Sequence, residues 1–184
     1  MQGTIAIPRG HFTAPWPFVE CLTRYLETKP DVRVMYKEGA LIEDNRNSLI
    51  QMFWGDWIFF IDDDMTFWPE DIEKIISHDL DVVCGLYFRG QSPHEPLIYR
   101  DNQYANYLSG ALIEIDACAM GFTKIKRSVI ESIGDNPFTR IGRMGEDLSF
   151  CKRAKDKGFK VFCDTSVQPK HLRFRQIGEK DKML

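Results

Sequence analysis

Apolar residues along this chain come in short runs that alternate with segments of helical spacing. The clearest run is WIFFI at residues 57–61, which is continuously apolar and bounded by polar residues. Such a run is typical of a strand buried on both faces of a parallel sheet. Similar runs predict strands at residues 4–8, 31–36, 57–61, 81–88, 111–115 and 159–163. Apolar spacing, prolines at helix starts and a glycine after a helix end predict helices from 15 onward, over 40–53, from 69 onward, over 126–133 and over 145–157. This alternation predicts an α/β protein with a mostly parallel central sheet flanked by helices.

The sequence predicts a single domain. Its 184 residues fall within the ~100–200 residues usual for one domain, and 43% apolar with 28% charged residues is close to the globular average. We therefore expect one domain over 1–184, with 168–184 as a mobile basic tail. A polar stretch, 89–110, interrupts the alternation. Its aromatic residues suit the flat faces of sugars, and a solvated loop packed by its own tyrosines is the alternative.

Charge and cysteine pattern exclude several classes of protein. The formal net charge is −3, which argues against a nucleic-acid-binding domain held by bulk charge. No apolar run approaches the ~20 residues that a membrane span needs, and the N-terminus lacks a secretory pattern. The 5 cysteines are scattered without a CxxC pair, as is typical of reduced thiols used as small apolar residues. We therefore expect a cytoplasmic protein with no membrane span.

Three consecutive carboxylates, Asp62, Asp63 and Asp64, directly follow the apolar run at 57–61. Ligands of open α/β sheets bind beyond the carboxyl ends of the strands. Three adjacent anions repel one another, and a hard divalent cation such as Mg²⁺ or Mn²⁺ offsets that repulsion. If the strand persists, alternation places Asp62 and Asp64 on one side and Asp63 on the other. The alternative is a solvated acidic turn ahead of the next helix.

Two further features lie later in the chain. Glu146 and Asp147 follow Gly145 at the start of a predicted helix, and acids at that position are also favoured by the helix dipole alone. His171 follows the last predicted strand, where a lone histidine is more often an ordinary surface residue than a ligand. Neither feature by itself predicts a site.

Taken in order, these features resemble the glycosyltransferases of the GT-A fold, and most of all glycosyltransferase family 2 and its small relatives. The resemblance rests on Asp62–Asp64 as a DxD motif, on Gly145-Glu146-Asp147 as the "ED" pair, and on His171. Residues 44–47 resemble the family's "ARN" segment, and 120–122 resemble its acceptor-side segment. The resemblance runs from about residue 5 to residue 171 and implies one GT-A domain, a Rossmann-like nucleotide-diphospho-sugar transferase fold.

The resemblance also implies an activity. It is the metal-dependent transfer of a sugar, of the hexosyltransferase type, from a nucleoside-diphosphate sugar to a hydroxyl of a glycan, a lipid-linked acceptor or a protein. A UDP-sugar is the expected donor, and Mn²⁺ or Mg²⁺ the expected ion. The metal ligands implied are Asp62, Asp64 and His171, with Asp147 as general base and Glu146 holding the acceptor. The residues expected to contact the donor are Pro8, Arg9, Arg46, Asp62, Asp63, Lys170 and Arg173.

Two other functions stay open at this point. Asp62 and Asp64, with Thr66 two residues on, also match the motif of haloacid-dehalogenase-like phosphatases, in which the first Asp is a nucleophile and the second an acid/base. That motif normally follows the first strand, whereas here two predicted strand–helix units come before it. A sugar-nucleotide binder that keeps the fold but catalyses nothing is the other alternative. The sequence leaves the sugar, the acceptor, the stereochemistry and the oligomeric state open.

Overall fold

The computed structural model describes residues 2–10, 14–29 and 31–172, and every structural statement below concerns those ranges. The five helices there are α1 (Trp16–Thr28), α2 (Ile42–Ile50), α3 (Pro69–Ser77), α4 (Arg127–Ile133) and α5 (Glu146–Asp156). The strands are β1 (Gly3–Arg9), β2 (Arg33–Glu38), β3 (Trp57–Ile61), β4 (Met65–Thr66), β5 (Val82–Gly85), β6 (Ile98–Arg100), β7 (Gln103–Tyr104), β8 (Leu112–Ile115), β9 (Ala117–Cys118), β10 (Phe122–Lys126), β11 (Val161–Asp164) and β12 (Lys170–His171).

The central sheet has seven strands in the order β2-β1-β3-β10-β5-β11-β8. Strands β1, β2 and β3 pair in parallel, as do β5 and β11. Strand β10 lies antiparallel between β3 and β5, and β8 lies antiparallel on the edge beside β11. The predicted mostly parallel sheet is therefore confirmed. The carboxyl ends of β1, β3, β5 and β11 lie at one edge of the sheet.

Helices cover both faces of the sheet because β3 is apolar on both sides. Ile58 and Phe60 belong to the core beneath α2, α4 and α5, whereas Phe59 and Ile61 belong to the core beneath α1 and α3. All four of these side chains have no exposed surface. Burial of each contributes roughly 1.5–3 kcal/mol to folding, so the continuous apolar run at 57–61 stabilises both layers at once.

Strand β10 was not predicted, because we expected a turn around Gly121 followed directly by a helix from residue 126. Thr123 and Lys124 make the segment look polar, yet both are buried. The Lys124 ammonium donates to the carbonyl of His78, and the Thr123 hydroxyl donates to the carbonyl of Ala119 at 3.1 Å. These hydrogen bonds let two polar side chains enter the middle of the sheet.

The polar stretch 89–110 contains two short strands that sequence reasoning treated as loop. Strands β6 and β7 form a hairpin, and β6 also pairs with β9. The hairpin turn is Asp101-Asn102, with φ of 52° and 62°, the left-handed values that two-residue hairpin loops need. Asp and Asn tolerate these values better than most residues.

The basic tail predicted over residues 168–184 begins within the folded part of the chain. Lys170 and His171 form β12, which pairs antiparallel with β4 and sets His171 opposite Met65. Arg173 and the residues after it lie outside the described residues, so the mobility of that segment stays a prediction. In the part of the chain that the structure describes, no helix combines the length and apolar character needed to cross a bilayer.

Candidate active site

The carboxylates that follow β3 lie at the carboxyl edge of the sheet, as predicted. The Asp62 amide donates to the carbonyl of Gly121 at 3.0 Å, which ties the end of β3 to the start of β10. Arg9, at the end of neighbouring β1, places its Nε 3.6 Å from Oδ2 of Asp63. The Arg9 guanidinium also lies 5.9 Å from the ring centre of Tyr36 at the end of β2. Three adjacent strand ends thus contribute charged or aromatic side chains to one surface.

Arg46 is the centre of a buried charge network. Its side chain, on α2, is only 3% exposed. One guanidinium nitrogen donates to Oδ1 of Asp62 at 2.9 Å, and another donates to Oε1 of Glu146 at 2.5 Å. Burial lowers the pKa of Arg46, but the charges of Asp62 and Glu146 outweigh burial and raise it. Arg46 therefore stays a cation, and it joins the DxD segment to the start of α5.

Asp147 lies beside this network at the start of α5. Burial and, to a smaller extent, the charge of Glu146 raise its pKa to about 6. A 2.7 Å hydrogen bond from the Leu148 amide and the charge of Arg46 keep the rise from being larger. A carboxylate with a pKa near 6 accepts a proton far better than an ordinary aspartate and is still ionised at neutral pH. These are the properties of a general base.

Asp64 and His171 form a second pair next to the network. The antiparallel pairing of β4 with β12 brings them together across the sequence, with His171 Nε2 at 2.8 Å from Oδ2 of Asp64. The other ring nitrogen, Nδ1, lies 3.3 Å from the carbonyl oxygen of Phe88. The Leu172 amide donates to the Asp64 carbonyl at 2.6 Å, and the Tyr87 ring lies edge-on to the imidazole at 5.9 Å. These contacts fix the position of the His171 imidazole beside the Asp64 carboxylate.

The structure brings two of the three predicted metal ligands into contact. Asp64 and His171 are hydrogen-bonded, whereas Asp62 binds Arg46. Among the described residues, no group of three or more His, Cys, Asp or Glu side chains is arranged to hold a metal ion. The chemistry of the Asp64–His171 pair nevertheless fits a divalent ion, because carboxylate oxygen and imidazole nitrogen are both donors that Mn²⁺ accepts.

The other predicted donor contacts lie around the same edge. Pro8 is buried at the end of β1, Arg9 faces Asp63, and Lys170 is exposed in β12. Arg46 does not lie open to solvent, because Asp62 and Glu146 engage its guanidinium. Arg173 falls outside the described residues.

Sequence reasoning missed Tyr87 as a site residue and did not explain the glycine at 121. The Gly121 amide donates to the Tyr87 hydroxyl at 2.7 Å. A Cβ at position 121 would lie 2.7 Å from that hydroxyl oxygen and 2.8 Å from Oδ2 of Asp62, so only glycine lets β10 begin this close to Asp62. Gly121 could have been noticed from the sequence, because residues 120–122 resemble the acceptor-side segment of the glycosyltransferases. Tyr87 could not have been noticed in the same way, because it lies in an apolar run that reads as a buried strand.

A sheet of this order, with acidic side chains at the carboxyl end of β3 and at the start of α5, defines the class of GT-A glycosyltransferase folds. A family model described as glycosyl transferase family 2 matches residues 17–130, which is more than half of the chain. The chain therefore belongs to glycosyltransferase family 2, and the resemblance that the motifs indicated is confirmed. A search of curated protein sequences found no match.

Three solved structures share the fold. A197 from STIV is 22% identical with a TM-score of 0.72, over 95% of this chain and 87% of A197. The catalytic domain of Drosophila beta1,4galactosyltransferase 7, in complex with xylobiose, is 14% identical with a TM-score of 0.62, over 98% of this chain and 77% of that one. GalNAc-T7 with UDP, GalNAc and Mn²⁺ is 13% identical with a TM-score of 0.58, over 94% of this chain and 43% of that one. At these identities the likeness shows the fold alone.

Proposed function

We propose that this protein is a metal-dependent glycosyltransferase that moves a sugar from a nucleoside-diphosphate sugar to an acceptor hydroxyl. The observation that carries the proposal is the position of Asp147, a partly buried carboxyl beside the network of Arg46, Asp62 and Glu146. Burial there raises the pKa of Asp147 to about 6. A base poised at the edge where the DxD carboxylates lie is what transfer to a weakly nucleophilic hydroxyl requires.

The donor side of the site is built around Asp64 and His171. These two residues would hold the divalent ion, with Asp62 beside them at the end of β3. The ion would supply positive charge to the diphosphate that leaves the sugar. UDP and Mn²⁺ are the first pair to test, because the structure of GalNAc-T7, which shares the fold, contains UDP, GalNAc and Mn²⁺.

The nucleoside side of the donor is proposed to lie over the ends of β1 and β2. Arg9 holds Asp63 there, and Tyr36 offers an aromatic face that is 67% exposed. An aromatic face next to a guanidinium suits a planar base, because both stack on it. Lys170 and Arg173 are proposed to add positive charge near the diphosphate, where arginine forms paired hydrogen bonds with phosphate oxygens.

The acceptor side is proposed to be organised by α5. Asp147 takes the proton from the acceptor hydroxyl as the oxygen attacks the sugar, and its partly buried position keeps water from competing. Glu146 is held by Arg46, which leaves its second oxygen, Oε2, to receive a hydroxyl of the acceptor or donor sugar. The acceptor itself is a glycan, a lipid-linked sugar or a protein hydroxyl. A cytoplasmic location stays part of the proposal, since all five cysteines are free thiols.

The phosphatase alternative has no observation in its favour. The carboxylates follow β3, the third strand of the chain, and the family match is to glycosyltransferases. The sugar-nucleotide binder without turnover is an outcome of the test below.

Thermal unfolding with UDP, with and without Mn²⁺, tests the donor site. A ligand that binds only the folded protein at 100 times its Kd stabilises it by about 2.7 kcal/mol, so UDP with Mn²⁺ should raise the Tm and UDP alone should raise it much less. Asp64→Asn should lose the Mn²⁺-dependent part. Asp135→Asn, at an exposed site after α4, is the matched control and should keep it.

Equal stabilisation of Asp64→Asn and the control would remove Asp64 from the metal site. Release of UDP from UDP-sugars in the presence of acceptors then separates the enzyme from the binder. A protein that binds UDP with Mn²⁺ but turns over no UDP-sugar with any acceptor is the binder.

A further inference from the structure

A groove of about 640 Å³ lies between α5 and the small sheet of β6, β7 and β9, and the family assignment gives it no role. Tyr99, Asp101 and Asn102 line it from the hairpin, and Leu148, Lys152 and Lys155 line it from α5. Its volume falls within the range of ~300–1,000 Å³ that small-molecule sites occupy. The groove is therefore large enough for a ligand of several rings.

The groove begins one residue after the proposed general base. Leu148 follows Asp147 directly, and the charge of Asp147 acts on the phenol of Tyr99. From Leu148 the lining continues along α5 to Asp156, which at 1.5 Å per helical residue is about 12 Å. A ligand in the groove would thus be elongated, with one end at Asp147.

Three carboxylates, from Asp101, Asp116 and Asp156, and two lysines, Lys152 and Lys155, line the groove. Lys152 binds Asp156 with contacts of 3.0 and 2.8 Å, and Lys155 binds Asp116. Both lysines therefore have an acid partner, and the carboxylates outnumber the lysines, so the lining offers an anionic ligand no net positive charge. A neutral ligand does not depend on a net positive charge, and it can form hydrogen bonds with these side chains.

The hairpin adds an aromatic wall. Tyr99 stacks on Tyr104 across β6 and β7, with ring centres 5.3 Å apart and an angle of 30° between the planes. Stacking holds the Tyr99 ring in place, so it presents a rigid surface with a hydroxyl at its edge. Rigid aromatic surface next to hydroxyl-binding side chains suits a sugar ring, which is apolar on its faces and polar at its rim.

We propose that this groove is the acceptor subsite and that it takes a neutral oligosaccharide lying along α5, with the reactive hydroxyl at Asp147. The proposal rests on the proposed function for the role of Asp147, and it adds the class of acceptor. Acceptors that carry a phosphate or carboxylate in the groove are disfavoured, because its carboxylates outnumber its lysines.

Ligand-observed NMR with neutral disaccharides and trisaccharides tests the groove without any turnover. The probes are lactose, cellobiose, mannobiose, xylobiose and their trisaccharides, with lactose 6′-phosphate as the anionic comparison. We expect the wild-type protein to bind at least one neutral probe, and Lys152→Trp, which fills the groove from the exposed face of α5, to weaken that binding at least tenfold. Lys157→Trp, after the end of the same helix and outside the groove, is the matched control and should bind like wild type.

Circular dichroism checks that each variant is folded, and Lys155→Trp is a second variant from the same exposed face. Three results overturn the proposal: no neutral probe binds, the phosphorylated probe binds best, or binding survives in both groove variants. UDP with Mn²⁺ is measured on the wild type in parallel. If that pair does not bind but saccharide binding is blocked by Lys152→Trp, the proposed donor chemistry is wrong and the saccharide groove stands.

Discussion

Arg46→Met removes the only guanidinium that the described residues place between Asp62 and Glu146, and it keeps a side chain of similar length. The two carboxylates that Arg46 now holds at 2.9 and 2.5 Å would then share a largely buried site without a cation. Loss of one partner of a buried ion pair costs about 3–5 kcal/mol, because the remaining charge is desolvated and uncompensated. For a domain of 150–250 residues, where 1 kcal/mol shifts the Tm by about 2–4 °C, this corresponds to a fall in Tm of roughly 6–20 °C.

The loss should depend on pH, with a defined sign. The charge and hydrogen bond of Arg46 lower the pKa of Asp62, so without Arg46 that pKa rises in the folded state. The folded variant then binds more protons than the unfolded chain near pH 5. Protonation then stabilises the folded variant as the pH falls. The difference in Tm between wild type and Arg46→Met should therefore be largest at pH 7.5 and shrink toward pH 5.

Arg140→Met is the matched control, because Arg140 pairs with Glu43 at a site where its side chain is 51% exposed. Exposed pairs contribute about 0–1 kcal/mol, so this variant should stay within a few degrees of wild type. Adding Glu146→Gln to Arg46→Met removes one orphaned charge and should recover part of the loss. If Arg46→Met and Arg140→Met lose the same stability, or if the loss does not change with pH, the buried network does not stabilise the fold as argued.

Three further predictions concern other parts of the molecule. Asp147→Asn should lower the rate of sugar transfer by roughly 10²–10⁴-fold, the usual span of general-base catalysis. The rate of the wild-type enzyme should fall below pH 6, where Asp147 becomes protonated. If Asp147→Asn transfers sugar as fast as the wild type, Asp147 is not the general base. Gly121→Ala places a Cβ 2.8 Å from Oδ2 of Asp62, so it should lower the free energy of unfolding by about 1–3 kcal/mol and weaken the binding of UDP with Mn²⁺. Gly10→Ala is the control, because a Cβ at residue 10 meets open space, and it should change neither property. Burial lowers the pKa of Lys124 to about 8, so between pH 8 and 10 the unfolded chain binds more protons and stability in urea should rise with pH; Lys124→Met should lose that rise.

Local pattern was sufficient where one segment carried its own signal. The apolar run at 57–61 gave β3 with the bounds that the structure has, and Pro69 gave the start of α3. The helix predicted over 145–157 agrees with α5, Glu146–Asp156, to within one residue at each end. Burial on both faces, a proline at the first turn and apolar spacing are properties of neighbouring residues, so they are visible without the fold.

Local pattern failed where a distant contact satisfied a residue that looked out of place. Strand β10 carries Lys124 into the sheet because the carbonyl of His78, 46 residues earlier in the chain, accepts its hydrogen bond. The run predicted at 81–88 ends as a strand at Gly85, since the Leu86 amide donates to the carbonyl of Val167 rather than to a sheet neighbour. Neither acceptor can be identified from the segment itself.

The sequence by itself determined the class of protein and the acids of its candidate site, because Asp62, Asp64 and Asp147 stand in recognisable order along the chain. Only the tertiary structure decided what each acid touches. Arg46 meets Glu146 across 100 residues, and Asp64 meets His171 across 107, through pairings of helices and strands that no local pattern encodes. The raised pKa of Asp147 has the same origin, since its largest cause is burial, which arises only when α5 packs against the rest of the fold.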